Sequence, residues 1–153
     1  MRVYVDTDVI VRFVTGEPPE RAEAARRLFA AAADGSVELF VPAVVLVEVG
    51  FVLLRVLRMD REAAAALLAS LLQAPGVVLE QREVMWRTLE VFQECPVPLV
   101  DAYLAAHALL QSRPSGTSGA PAIASFDRHF DGIAGVRRVA RVEELEAERQ
   151  EEP

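Results

Sequence analysis

Arg2-Val3-Tyr4-Val5-Asp6-Thr7-Asp8 is the stretch that decides the fold. Its β-branched and aromatic residues over Arg2–Asp6 predict a short strand. Two aspartates close that strand, and Val9–Val14 begins a helix that Gly16 and Pro18-Pro19 stop. Working outward, strand and helix alternate. Glu20–Ala33 predicts a helix on the spacing Ala24, Ala25, Leu28, Phe29, closed by Asp34-Gly35. Val37–Val41 predicts a second strand, and Pro42 starts an almost wholly apolar helix over Ala43–Met59. Asp60 is placed to cap a helix over Arg61–Gln73. Val77–Leu79, Ala122–Phe126 and Val136–Ala140 predict three further strands. Glu83–Cys95 and Leu99–Leu110 predict helices, and Asp127–Ile133 a helical turn. This alternation predicts an α/β fold, with a parallel or mostly parallel sheet covered on both faces.

The chain has 153 residues, 52% of them hydrophobic, which suits one domain around one core. Its 25% of charged residues is ordinary for a folded protein. The single cysteine, Cys95, excludes an internally disulfide-stapled scaffold. The longest uncharged stretch, Ala63–Leu79, contains Gln73 and a Pro75-Gly76 break, so it reads as helix, turn and strand and not as a membrane span. Asp6 and Asp8 interrupt the first apolar run too early for a signal peptide, and the expectation is a cytoplasmic protein. Ser112–Pro121 has the composition of a flexible connector, and residues 143–153 form an acidic tail beyond a domain over 1–142.

The formal charge of −7 counts against bulk electrostatic binding of nucleic acid. Every one of the sixteen cationic side chains, however, is arginine, the better bidentate phosphate ligand. A few well-placed arginines could still guide an RNA strand; Arg12, Arg55 and Arg128 are the candidate phosphate contacts, with plain surface solvation the favoured account of each.

The carboxylates carry the chemistry. Asp6 and Asp8 stand at a strand's carboxyl end, the edge where open α/β sheets bind ligands. Asp127 follows the strand Ala122–Phe126 in the same way, and Asp101 opens a helix. Each has a purely structural account as a helix cap or dipole partner. Glu48 lies in Val44–Leu54 with apolar residues on every helical face, so it reads as a buried carboxylate. Burial is costly unless the group is paired, hydrogen-bonded or metal-bound. Arg55, two turns on along the same face, is the structural partner to expect. Hard oxygen ligands without a cysteine or histidine cluster suit Mg2+ or Mn2+ and metal-assisted phosphoester hydrolysis. His107 falls on a helix face turned from Asp101, and His129, beside Asp127 and so within reach of a substrate, reads more simply as solvent-exposed. Trp86 and Phe92 read as core, and Cys95 as a buried or half-buried thiol without a catalytic partner.

Four segments occur in order: Val5-Asp6-Thr7-Asp8-Val9, Val47-Glu48-Val49, Asp101-Ala-Tyr-Leu-Ala-Ala106 and Ala124-Ser125-Phe126-Asp127-Arg128-His129-Phe130. On them the chain resembles the PIN-domain ribonucleases, specifically the VapC-like toxins of bacterial type II toxin–antitoxin pairs, from about Met1 to Val142. The resemblance implies a three-layer α/β/α sandwich with a mostly parallel central sheet and an acidic pocket at its carboxyl edge. It implies that Asp6, Glu48, Asp101 and Asp127 hold one or two Mg2+ or Mn2+ ions. Ser125 would then hydrogen-bond Asp6 or a water, and Asp8 would support the pocket from behind. It further implies an RNA substrate, a cognate antitoxin and a homodimer. Asp8 stands where the family often carries asparagine or a small polar residue, and the connector Ser112–Pro121 looks expanded.

Two rival functions are weaker. Asp6-Thr7-Asp8 with Asp127 and Asp131 is similar to the acidic pairs of haloacid-dehalogenase phosphatases. Ile10, however, replaces their expected threonine, their lysine is absent, and Glu48 and Asp101 go unexplained. A non-catalytic PIN-like interaction module would have lost acidic positions, and all four are present. The apolar helix Ala43–Met59, with Phe51, Val52, Leu54 and Leu57, offers either a groove for an antitoxin helix, a dimer contact or plain core.

Overall fold

The computed structural model describes residues 1–111 and 120–141. The connector read over Ser112–Pro121 lies almost wholly outside them, and the acidic tail over 143–153 wholly so. Strand β1 (Arg2–Tyr4) leads into helix α1 (Thr7–Thr15), followed by α2 (Pro19–Ala33) and β2 (Glu38–Val41). Helix α3 (Ala43–Phe51), a π-helical segment (Val52–Val56), α4 (Arg61–Gln73) and β3 (Val77–Leu79) come next. Helices α5 (Arg82–Glu94) and α6 (Leu99–Gln111) precede β4 (Ala122–Ala124), a 3-10 turn (Arg128–Gly132) and β5 (Arg137–Val139).

Every strand pairing among the described residues is parallel, as the alternation of strand and helix requires. Arg2 stands opposite Glu38 and Leu39 opposite Val77, which gives the order β1-β2-β3. Ala122 stands opposite Arg137 in a separate β4-β5 pair. The parallel sheet thus comes in two ladders of short strands, without a hydrogen-bonded seam between β1 and β4.

Packing follows the apolar pattern. Helix α5 buries Val84, Leu89, Val91 and Phe92 as its spacing predicts. Helix α2 buries Ala22, Ala25, Phe29 and Ala32, so its inner face is rotated and Ala24 is exposed. Asp60 caps α4 by accepting from the Ala63 amide at 2.8 Å. Arg61, one residue on, reaches across to the end of α5. Its guanidinium donates to the carbonyls of Phe92 and Cys95, the latter at 2.6 Å, and lies over the Phe92 ring. These carbonyls belong to a helix end, where cationic donors are favoured.

Helices α3 and α6 meet at Gly50. A Cβ built there would lie 2.1 Å from Leu99 Cδ2, so any larger residue must displace the tip of that leucine. The contact brings α3 against the first turn of α6, which carries Asp101. Beyond it the long helix departs from expectation: the α-helical stretch ends at Phe51, and Leu57 N–H bonds five residues back to Val52. The widened turn keeps Leu53 fully buried while breaking the seven-residue register that would have aligned Arg55 with Glu48.

Candidate metal centre

Two groups of acidic residues take shape on this scaffold. The first joins β1 to α3. Asp6 leaves β1 in extended conformation and accepts from the Thr7 amide at 2.8 Å, capping α1. Thr7 is buried at 8% exposure, and its hydroxyl donates to Glu48 Oε2 at 2.6 Å across 41 residues. Glu80, after β3, caps α3 by accepting from the Ala43 amide at 3.0 Å.

Glu48 itself is exposed, which corrects the expectation of a buried carboxylate. Helix α3 buries Ala43, Leu46, Val49 and Gly50 and turns Val44, Glu48 and Phe51 outward. Val44 is 72% exposed and Phe51 60%, so the outward face is apolar around a single charge. The partner of Glu48 is Thr7, and no ion pair to Arg55 forms.

The second group is built from α6 and the segment after β4. Asp101, in the first turn of α6, has a side chain only 19% exposed. Asp127 caps the 3-10 turn, and Oδ1 accepts from the His129 amide at 2.9 Å. The His129 ring folds back so that Nδ1 lies 3.1 Å from Asp127 Oδ1 and 3.5 Å from Asp101 Oδ2. The Ser125 hydroxyl accepts from the Asp127 amide at 3.0 Å. Ser125 therefore serves Asp127 and not Asp6, because the turn after β4 brings its side chain under the next backbone N–H but one. Arg138 fixes this loop, donating to the Ser125 carbonyl at 3.1 Å and to Asp131 at 2.8 Å.

One donor atom from each of Asp101, Asp127 and His129 lies within 4.8 Å of the others, the only such group of acids, histidines or cysteines among the described residues. Asp6 and Glu48 stand outside it. His129 is exposed as expected, yet it faces both acids. The signal for it was its place two residues after a capping aspartate, where a 3-10 turn returns the ring toward the cap.

The remaining candidates point elsewhere. Asp8 is held by Arg12 at 2.8 Å and lies 3.9 Å from Arg21, on a cleft of about 250 Å³ between α1 and α2. That pairing turns Asp8 from a supporting role behind Asp6, and it occupies Arg12, which also donates to the Glu17 carbonyl at 3.2 Å. Arg55 and Arg128 are exposed, and neither forms an ion pair among the described residues. A larger cleft of about 650 Å³ between α1, α2 and α4 is lined by Phe13, Phe29, Leu67 and Leu71 and holds none of the acids.

Compared with known families, residues 3–136 match the PIN domain. The chain belongs to the PIN-domain family. No curated protein matches it. A PIN domain has a nuclease-type fold and typically binds divalent metal, and the donor set fits that group. Two carboxylates at one point, with an imidazole beside them, are ligands that divalent first-row ions accept. The family assignment also removes the phosphatase reading, whose threonine and lysine this PIN domain lacks. Among the described residues of the domain, no helix is long and apolar enough to cross a membrane.

Proposed function

We propose that this PIN domain is a divalent-metal-dependent endoribonuclease, the toxin of a toxin–antitoxin pair acting in the cytoplasm. The observation that carries the reading is the convergence of Asp101 and Asp127 on one point, from two elements far apart in sequence. A bound Mg2+ or Mn2+ supplies an activated water and neutralises charge on the scissile phosphate. Asp101 and Asp127 hold that ion. Asp6 and Glu48, tied to each other through Thr7, complete the acidic set. Thr7 fixes the rotamer of Glu48, and so holds an exposed carboxylate in one place at low entropic cost. Arg55 and Arg128 serve as phosphate contacts, since their guanidinium groups are exposed and unpaired among the described residues. The outward apolar face of α3, with Phe51, and Leu57 beyond it, supports docking of an antitoxin helix or a second copy.

The test is cleavage of a panel of structured and single-stranded RNAs with Mg2+ or Mn2+. Wild type and Asp101→Asn are purified identically, and an EDTA arm is included. Metal-dependent cleavage that is lost in the variant supports the reading. Equal cleavage by both preparations means a contaminating ribonuclease and leaves the assignment without support.

A further inference from the structure

We infer that His129 is a ligand of the metal centre, through Nδ1, and that this nitrogen makes the centre prefer Mn2+ or Co2+ to Mg2+. The inference rests on the metal-centre reading above and names the donor that sets its ion.

Spacing is the first argument. Adjacent ligands around an octahedral ion at about 2.1 Å stand about 3.0 Å apart. Around a tetrahedral ion at about 2.0–2.1 Å they stand about 3.3 Å apart. The separations of 3.1 and 3.5 Å from Nδ1 to the two acid oxygens fall on this scale. The ring therefore already occupies the place of a neighbouring ligand.

Orientation is the second. The His129 amide donates to Asp127 Oδ1, and the Asp127 amide donates to Ser125, so the turn is locked from both sides of the cap. Phe130, the next residue, is buried and anchors the turn to the core. The imidazole is half-exposed and turns Nδ1 toward both acids. A backbone held in this way aims the ring without help from the ion.

The chemistry then follows from donor type. Affinity for a nitrogen donor such as imidazole rises along the first-row series from Mn2+ through Co2+, whereas Mg2+ favours oxygen and gives up water reluctantly. With His129 included, the donor set is two oxygens and one nitrogen, and Mg2+ gains least from it. An ordinary ion pair between a histidine and two acids would give similar distances, so the test must see the nitrogen on the metal.

The chain contains two histidines, which makes that test decisive. The full chain is loaded with Mn2+, and electron spin-echo modulation is recorded for wild type, His107→Ala and His129→Ala. Nitrogen-14 coupling is expected in wild type and in His107→Ala and absent in His129→Ala. In calorimetry, His129→Ala is expected to weaken Mn2+ roughly tenfold or more and to change Mg2+ much less. Circular dichroism checks that the variant, altered at an exposed turn, keeps its fold. Asp101→Asn reports on the centre itself. Mn2+ binding that Asp101→Asn abolishes, but that shows no nitrogen coupling in wild type, overturns the role of His129 and leaves the metal centre standing. A wild-type chain that binds neither ion overturns both.

Discussion

The Asp6–Thr7–Glu48 group and the Asp101–Asp127–His129 group are both acidic, but they are assembled by opposite means. The first is a tertiary joint: a buried threonine hydroxyl links the end of β1 to a glutamate 41 residues away. The second draws its geometry mainly from a local turn, where Asp127 caps its own 3-10 segment and His129 returns to the cap. Asp101 comes to it from the first turn of α6, which packs on α3 where Leu99 meets Gly50. The joint spends its hydrogen bonds within itself, whereas the turn leaves donor atoms facing one another. Stability is expected to concentrate in the first group, and ion chemistry in the second.

Removing an acid from the second group should have the largest effect. Asp101→Asn is expected to lower RNA cleavage by roughly a hundredfold or more, since a metal ligand carries several kcal/mol of transition-state stabilisation. Its thermal unfolding should move little, and a large drop in melting temperature would break the contrast between the groups. Next comes the seat of α6. Gly50→Ala overpacks the contact with Leu99 and should cost about 1–3 kcal/mol in denaturant unfolding. It should also weaken Mn2+ binding, because Asp101 moves with the helix.

Thr7→Val sharpens the comparison from the other side. It removes the hydrogen bond to Glu48 at constant shape and should cost about 1 kcal/mol, with Glu48 able to recover water. A double-mutant cycle of Thr7→Val with Glu48→Gln should show coupling of about 0.5–1 kcal/mol, and one with His129→Ala close to none. Coupling of equal size in both cycles would mean that the two groups act as one.

The smallest effect is a titration. Tyr103, two residues past Asp101 on α6, donates to Gln81 Oε1 at 2.8 Å. Burial, and then the Glu80 carboxylate, raise its pKa above the usual 10.0. A raised folded-state value means that this contribution to stability is complete below the unfolded pKa near 10 and is lost as pH rises through the higher folded value. Absorbance titration of wild type against Tyr103→Phe should place this phenol above the usual 10.0. In Gly50→Ala that elevation should shrink if α6 shifts.

Much of this was legible in the sequence, and the exceptions have physical reasons. β1 and its terminal Asp6, the Asp60 cap, the inner face of α5 and the α/β order all follow from local patterns of period 2 and 3.6. Glu48 did not. A helix that is apolar all round has no sequence-visible outer face, so nothing local says that Val44, Glu48 and Phe51 turn outward. The π-helical break after Phe51 was hidden for a related reason, since it answers to packing around buried Leu53 and the seat at Gly50. Thr7 lay in plain view between two aspartates, but its role depends on a partner that only tertiary structure brings near. Ser125 reads as a supporting hydroxyl for Asp6 or a water, whereas the turn after β4 gives it the Asp127 amide, a local bond that no residue spacing announces. His129 reads from the sequence as solvent-exposed and is so, but the 3-10 turn also carries its Nδ1 to 3.1 Å from Asp127 and 3.5 Å from Asp101.

The all-parallel pairing has a consequence for how the chain folds. Arg2 must find Glu38, and Leu39 must find Val77, with no hairpin to bring either pair together. Helices can form locally, but each ladder waits on a closed loop whose entropy must be lost before its hydrogen bonds are gained. A chain this rich in helix should therefore fold at the pace of mixed α/β domains and not of helical bundles. Its acidic joint at Thr7 should also mature late, because it exists only once β1 has met the element that follows β2.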